Sequence, residues 1–243
     1  MVDPLIIDRK KLFEHVAEHL EAQILAGKLR PGDQLPPERD LRASFGVGRP
    51  AIREALIALQ KAGLVELSNG ARARVLMPTA NHIFTGMAPA VRQMLSTDDG
   101  QRHFQGARMF FEVGLARMAA TRATDDDLRS LARALETNRA AIGDSEEFTR
   151  TDIAFHFELA KIARNPIFIA LHDQMSDWLK EQRVVTLAAS GQERIAYDAH
   201  AAIHDAVAAR DPDRAEAEMR AHLQQLSDTF WKQRKARDED PAD

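Results

Sequence analysis

Hydrophobic positions in the first part of the chain alternate between short helical patterns and tight turns. Apolar side chains recur at four-residue intervals across 12–24 and predict an amphipathic helix that stops at Gly27. The segment 37–45 begins with a proline, which suits the start of a second, short helix. The segment 50–63 carries apolar residues on one helical face and ends on a glycine, which predicts a third helix.

A small β-hairpin is predicted after the third helix. The segments 64–67 and 71–75 flank Asn69 and Gly70, and an Asn-Gly pair supplies the positive φ that a tight hairpin turn requires. Helix, helix, turn, helix and hairpin in this order predict a winged helix-turn-helix. We assign it to residues 1–77.

The rest of the chain is predicted to be helical. Residues 78–100 are weakly patterned and indicate a linker with room for a short helix, and residues 101–235 show helical periodicity without a strand pattern. Short connections imply about six helices of roughly 15–25 residues with antiparallel neighbours. The fold class is therefore mainly α, an N-terminal winged helix-turn-helix plus a C-terminal antiparallel helical bundle. Helix starts are predicted at Thr124, Ser145, Asn165 and Asp211.

Charge and composition indicate which cellular compartment and which binding partners to expect. The net charge of −4 is uneven, because residues 1–77 carry +2 and the remainder carries −6. Because residues 1–77 are mildly basic and the remainder is acidic, electrostatic attraction to DNA is possible from residues 1–77 alone. No apolar run of about 18 residues and no signal-peptide pattern occur, so we expect a cytoplasmic protein without a membrane partner. The absence of cysteine excludes disulfides and thiolate metal sites.

Arginines cluster where a helix-turn-helix meets DNA. The second helix of this motif enters the major groove by its N-terminus, where an arginine can pair with guanine or hold a phosphate. Arg49 and Arg53 lie four residues apart on this helix, hence on one face. The spacing alone is equally compatible with arginines that only form a solvated helical face and do not contact DNA. The candidate DNA-contacting residues are Arg39, Gly48, Arg49, Pro50, Arg53, and Arg72 and Arg74 on the wing.

Two runs within this region resemble the winged-helix signature of the GntR family. They are GDQLPPERDL at 32–41 and VGRPAIREAL at 47–56. The resemblance implies a transcription regulator, a repressor in our interpretation, that binds a double-stranded DNA operator. It also implies that Arg39, Arg49 and Arg53 contact the operator and that Gly70, at the tip of the wing, lies in the minor groove.

Paired acidic and histidine residues suggest a metal site in the helical part. Asp152 and His156 are spaced i,i+4, which places both on one helical face where they can hold one ion. The same spacing occurs at 15 and 19 and again at 200 and 204, so the spacing alone does not identify ligands.

The segments around 152–160, 200 and 211–223 resemble the C-terminal effector domain, or FCD domain, of the FadR branch of GntR regulators. The resemblance implies a divalent metal ion held by the positions Asp152, His156, His200 and His222. Three imidazoles and one carboxylate suit zinc, with nickel or manganese as alternatives, and leave a coordination position for a ligand oxygen.

Arg108 and Glu112 match the first helix of the same effector domain, in which the arginine points into the pocket. The resemblance implies that they bind a small carboxylate or sugar-acid effector, with sialic acid among the candidates. Alternatively, the two residues form a structural ion pair with each other. The resemblance to a sialic-acid-responsive subgroup of this branch rests on residues 69–75, 110–112, 165–168 and 177–179.

Other functions also fit an Asp/His cluster. A metal-dependent hydrolase would need a general base beside a metal-bound water; Glu112 is available, but the His-Glu-x-x-His arrangement is absent. A purely structural metal is a further alternative. We expect a regulator rather than an enzyme. We also expect a homodimer, because two-fold symmetry presents two recognition helices to a repeated operator.

Overall fold

The computed structural model describes residues 10–68, 71–77, 79–187 and 189–239. The chain divides into two units, Met1–Gly86 and Met87–Asp243. The first unit contains a two-stranded antiparallel sheet and helices, and the second contains helices. Among the described residues, no helix is both long enough and apolar enough to cross a membrane.

The first unit contains the predicted winged helix-turn-helix. Apolar residues at the predicted four-residue spacing, Val16 and Leu20, are buried against the apolar face of the third helix, which includes Ile52 and Leu59. This face explains why the helices pack together. The elements of the unit are α1 (Leu12–Leu25), α2 (Glu38–Phe45), α3 (Arg49–Lys61), β1 (Val65–Glu66), β2 (Arg74–Val75) and α4 (Ala80–Thr85).

Two glycines shape the turns around α3. Gly46 ends α2 with φ of +64°, in the left-handed region that glycine adopts without strain. Gly63 follows the end of α3 with φ of +71°, and a Cβ there would lie 2.9 Å from the Cβ of His82. Both positions therefore favour glycine, for conformation at the first and for conformation and space at the second.

The wing is a short hairpin. Val65 pairs with Val75 and Glu66 with Arg74, so each strand is only two residues long, shorter than the predicted 64–67 and 71–75. The Ser68 carbonyl accepts a hydrogen bond from the Ala71 N–H at 3.1 Å. The predicted turn residues 69 and 70, including the wing glycine, lie outside the described residues.

The second unit is an array of helices, as predicted. The predicted linker 78–100 contains two short helices, α4 and α5 (Ala88–Leu95). They were not predicted separately, because both are too short for their periodicity to show in the sequence. The described helices of the second unit are α5 (Ala88–Leu95), α6 (Asp98–Arg122), α7 (Asp125–Ala140), α8 (Ser145–Ile162), α9 (Pro166–Trp178), α10 (Lys180–Leu187), α11 (Gln192–Ala208) and α12 (Pro212–Glu239).

Polar caps fix where these helices begin. Thr124 accepts the N–H of Asp127 at the start of α7, and Asn165 accepts an N–H at the start of α9. At α8 the cap is Asp144, one residue before the predicted Ser145, because its carboxylate accepts the N–H of Glu147. The main core joins apolar faces of α6, α7, α8, α11 and α12.

Candidate metal centre and nucleic-acid interface

Four buried side chains from three helices meet in the second unit. Asp152 and His156 come from α8, His200 from α11 and His222 from α12. Each offers one ligand atom, and these atoms all lie within 4.8 Å of one another. The structure thus brings together the four residues that the resemblance named. The first and the last of them, Asp152 and His222, are 70 positions apart in the sequence.

The donor atoms of this cluster fit a divalent cation. His156 Nε2, His200 Nε2 and both ring nitrogens of His222 are buried and have no hydrogen-bond partner among the described residues. Burial lowers the pKa of His200 and of His222 well below the usual histidine range, so both rings are neutral and offer lone pairs. Buried polar atoms without partners are costly, and a cation between them would satisfy them together. The cluster can therefore hold a metal.

Asp152 is also paired with a buried arginine. Its Oδ2 lies 2.7 Å from the Nε of Arg183, which α10 carries, and its Oδ1 lies 3.4 Å from His200 Nε2. Burial lowers the pKa of the Arg183 guanidinium, while the carboxylates of Asp152 and Glu112 raise it. Sequence reasoning missed Arg183 because it lies in a run of polar residues typical of a solvated helix.

Glu112 connects Arg108 to the cluster. Its Oε1 lies 2.6 Å from Arg108 Nε, and its Oε2 lies 2.5 Å from His156 Nδ1. Burial raises the pKa of the Glu112 carboxyl, but Arg108 and His156 outweigh burial and bring this pKa well below its usual value. Glu112 is thus an anion, and each of its two carboxylate oxygens contacts a side chain of the same protein, Arg108 or His156. The structural ion pair given as the alternative for these two residues is present.

A cavity of about 290 Å³ adjoins the cluster at Asp152. Arg108 and Arg183 line it, and each has a buried guanidinium nitrogen, Nη2 and Nη1 respectively, without a hydrogen-bond partner among the described residues. Glu112 is not one of its lining residues. Other polar lining residues are Arg102, Gln105, Gln182, Thr186, Gln224, Ser227 and Trp231.

The remaining histidines of the i,i+4 pairs are not part of the cluster. His204, one turn after His200, instead contacts Asp205 at 3.1 Å. His19 contacts Gln23 in the first unit. A further buried histidine, His172 of α9, was missed because no spacing pattern distinguishes it.

The N-terminus of α3 carries the predicted DNA-contacting arginines on the surface of the first unit. Gly48 caps the helix and Pro50 occupies its first turn. Arg49 Nε and Arg53 Nε lie 3.1 and 3.4 Å from the two carboxylate oxygens of Glu38. Sequence reasoning did not single out this carboxylate. Arg49, Arg53 and Arg72 line one groove with it, whereas Arg39 pairs with Asp40 and is largely exposed.

Both units match known families. Residues 12–75 match the family described as "Bacterial regulatory proteins, gntR family", and residues 104–225 match the FCD domain. The chain belongs to the GntR family. This GntR protein is a transcription regulator and not an enzyme, so the hydrolase alternative is set aside.

Relatives named "HTH-type transcriptional repressor NanR" are similar along most of the GntR chain. The one from Cronobacter sakazakii (strain ATCC BAA-894) is 44% identical over 224 residues, covering 91% of this chain and 86% of the relative. The one from Escherichia coli (strain K12) is 43% identical, covering 91% and 85%. The GntR protein is thus a regulator of the NanR type.

Two solved structures show the same fold. Streptococcus agalactiae GntR aligns with a TM-score of 0.59 at 23% identity, covering 88% of this chain and 98% of that one. E. coli McbR/YncC aligns with a TM-score of 0.53 at 18% identity, covering 93% and 99%.

Proposed function

We propose that this GntR regulator is a cytoplasmic, homodimeric repressor whose affinity for operator DNA is controlled by a small carboxylate bound beside a divalent metal ion. The observation that carries the proposal is the buried cluster of four ligand side chains, which opens onto a cavity with two incompletely paired arginines. The repressor assignment is supported by the relatives named NanR.

DNA binding is assigned to the exposed N-terminus of α3. An arginine at this place reaches base edges or phosphates, and its planar fork can pair with guanine through two hydrogen bonds. Because Glu38 contacts Arg49 and Arg53 through their Nε atoms, both side chains are held together on the surface that would face the groove. Gly48, Pro50, Arg39, Gly70 and Arg72 complete the proposed contact set.

Metal binding is assigned to Asp152, His156, His200 and His222. A bound divalent ion, zinc by preference with nickel or manganese as alternatives, would supply a Lewis-acidic position for a ligand oxygen. Glu112 faces His156 rather than the cavity, so we assign it to orienting that ligand instead of to the effector.

Effector binding is assigned to the cavity wall formed by Arg108 and Arg183. Guanidinium groups form charge-assisted hydrogen bonds with carboxylates, and both residues retain a nitrogen without a partner in the described part of the chain. The neighbouring glutamines, serine and tryptophan suit a ligand that also carries hydroxyl groups. A sugar acid meets both requirements, and sialic acid is the first candidate. The ligand alters repression to the extent that it prefers one arrangement of the dimer.

Arg49→Ala tests the DNA interface. We expect operator affinity to fall by about 1–3 kcal/mol while metal content stays the same, because the lost contact lies in the other unit. Arg139→Ala is the matched control, since it removes an exposed arginine from α7. An Arg49→Ala protein that shifts operator DNA as the wild type does would overturn the assignment.

His222→Ala tests the metal-linked response. We expect loss of metal binding and of effector-dependent release from the operator, measured by equilibrium dialysis and by fluorescence anisotropy with sialic, glucuronic and lactic acids. His204→Ala is the control, because this histidine lies outside the cluster. Metal loss with an unchanged response to effector would leave a purely structural metal as the correct alternative.

A further inference from the structure

His200 is held from behind by a chain of hydrogen bonds. Its Nδ1 lies 2.9 Å from the amide oxygen of Asn138, and the Asn138 amide nitrogen donates to the Thr151 hydroxyl at 3.0 Å. That hydroxyl lies 2.9 Å from the carbonyl of Glu147 and 3.0 Å from the carbonyl of Phe148. The side chains of His200, Asn138 and Thr151 are fully or almost fully buried.

The direction of every hydrogen in this chain follows from its backbone end. A carbonyl only accepts, so the Thr151 hydroxyl must donate to α8, and its lone pairs are left for the Asn138 amide N–H. The amide oxygen therefore faces His200, and because it only accepts, His200 Nδ1 must carry a hydrogen. In a neutral ring the lone pair then lies on Nε2, which is 3.4 Å from Asp152 Oδ1.

We propose that Asn138 and Thr151 are positioning residues that lock His200 in the Nδ1–H tautomer, so that Nε2 faces the cluster as a metal donor. The proposal rests on the proposed metal site for the use of this lone pair, but the tautomer itself is a property of the metal-free chain. His156 has an equivalent outer partner, the carboxylate of Glu112 at its Nδ1. His222 has none among the described residues, so its tautomer is not fixed in this way.

Nitrogen-15 NMR of the histidine rings in the full-length, chelator-treated protein tests the inference. We expect His200 to show a protonated Nδ1 and an unprotonated Nε2, and His222 to show a mixture of tautomers. A His200 ring protonated at Nε2, alone or together with Nδ1, overturns the inference. This measurement needs no variant, so it holds even where a substitution impairs folding.

Thr151→Val tests the origin of the lock. It removes the hydroxyl at nearly constant volume, so the Asn138 amide is free to turn, and His200 is expected to lose its single tautomer. Zinc affinity, measured by competition with a chelator, is expected to fall by about 10-fold. Thr151→Ser keeps the hydroxyl and should restore both properties. Thr149→Val is the control, because that hydroxyl donates only to the Ser145 carbonyl of its own helix.

The outcomes separate this inference from the proposed function. A wild-type protein with the expected tautomer but no zinc binding supports the positioning role and refutes the metal site. A protein that binds zinc, but in which Thr151→Val changes neither the tautomer nor zinc affinity, refutes the positioning role and leaves the metal site intact.

Discussion

His172 is a buried histidine that does not belong to the candidate metal cluster. It is 1% exposed, and neither ring nitrogen has a hydrogen-bond partner among the described residues. Burial is the largest influence and lowers its pKa to about 4; Glu112 opposes this, while His156, Arg183 and Arg108 add to it. The ring is therefore neutral near pH 7, and protonating it within the fold is unfavourable.

Acid is expected to weaken the fold through His172. The pKa is about 4 in the folded protein and 6.5 in an unfolded chain, so between these values the unfolded chain binds a proton that the folded protein does not. The free energy of unfolding should thus fall as the pH drops from 6.5 to 4, by up to about 3 kcal/mol.

Urea unfolding of the wild type and His172→Gln across this pH range, both with chelator, measures the effect. Glutamine does not titrate, so the unfolding free energy of the wild type minus that of the variant should decrease towards pH 4. Parallel pH profiles would show that His172 does not contribute.

At the scale of elements, the short helix α10 is tied to three other helices by amide side chains. Gln105 accepts the indole N–H of Trp231 at 2.8 Å and donates to Gln182 of α10 at 2.9 Å. Gln182 reaches Gln101 at 3.4 Å, and Gln101 donates to the carbonyl of Leu95 at the end of α5 at 3.0 Å. This chain borders the cavity and holds the helix that carries Arg183.

Gln182→Ala is expected to loosen α10. Losing its hydrogen bonds costs about 1 kcal/mol, which corresponds to roughly fivefold faster amide exchange in residues 180–187 if they open locally. Hydrogen exchange with mass-spectrometric detection measures this rate. Gln93→Ala, at an exposed position of α5, is the control, and equal exchange in both variants would contradict the role assigned to the amide chain.

Helices α1 to α3 and the wing of the first unit were predictable because each carries its own signal. The apolar spacing of α1 and the glycines after α2 and α3 act within a few residues, so a local pattern suffices. The two helices within 78–100 were not predicted as such, since α5 buries only Val91 and six to eight residues give too few turns to show a period.

The site was only partly predictable. The i,i+4 spacing identified Asp152 and His156 as neighbours on a helix, but the choice of His200 over His204 came from family resemblance. Arg183 and Asn138 gave no signal, because their partners in the site lie 31 and 62 positions away. Burial of a polar side chain by distant helices is a property of tertiary packing.

On the scale of the whole molecule, the cluster links segments far apart in the chain. α8, α11 and α12 each contribute at least one side chain, so an ion bound there would join three helices. A ligand that binds the folded chain alone stabilises it, by about 2.7 kcal/mol at a concentration 100 times its dissociation constant.

Zinc is therefore expected to raise the Tm of the metal-free protein by several degrees, as measured by differential scanning calorimetry. His156→Ala should abolish this rise, because it removes one ligand, whereas His204→Ala should preserve it. A rise of equal size in His156→Ala would mean that zinc stabilises the chain from another place.

The candidate metal site consists of nitrogen and oxygen ligands, and this composition has a consequence for oxidation by peroxide. Peroxide converts thiolates to sulfenic acids, but neither imidazole nor carboxylate undergoes that reaction, and the chain has no cysteine. The candidate metal site of His156, His200, His222 and Asp152 therefore contains no atom that this thiolate reaction could remove from coordination. Under the proposed function, oxidation of a thiolate could therefore not uncouple the regulator from its effector.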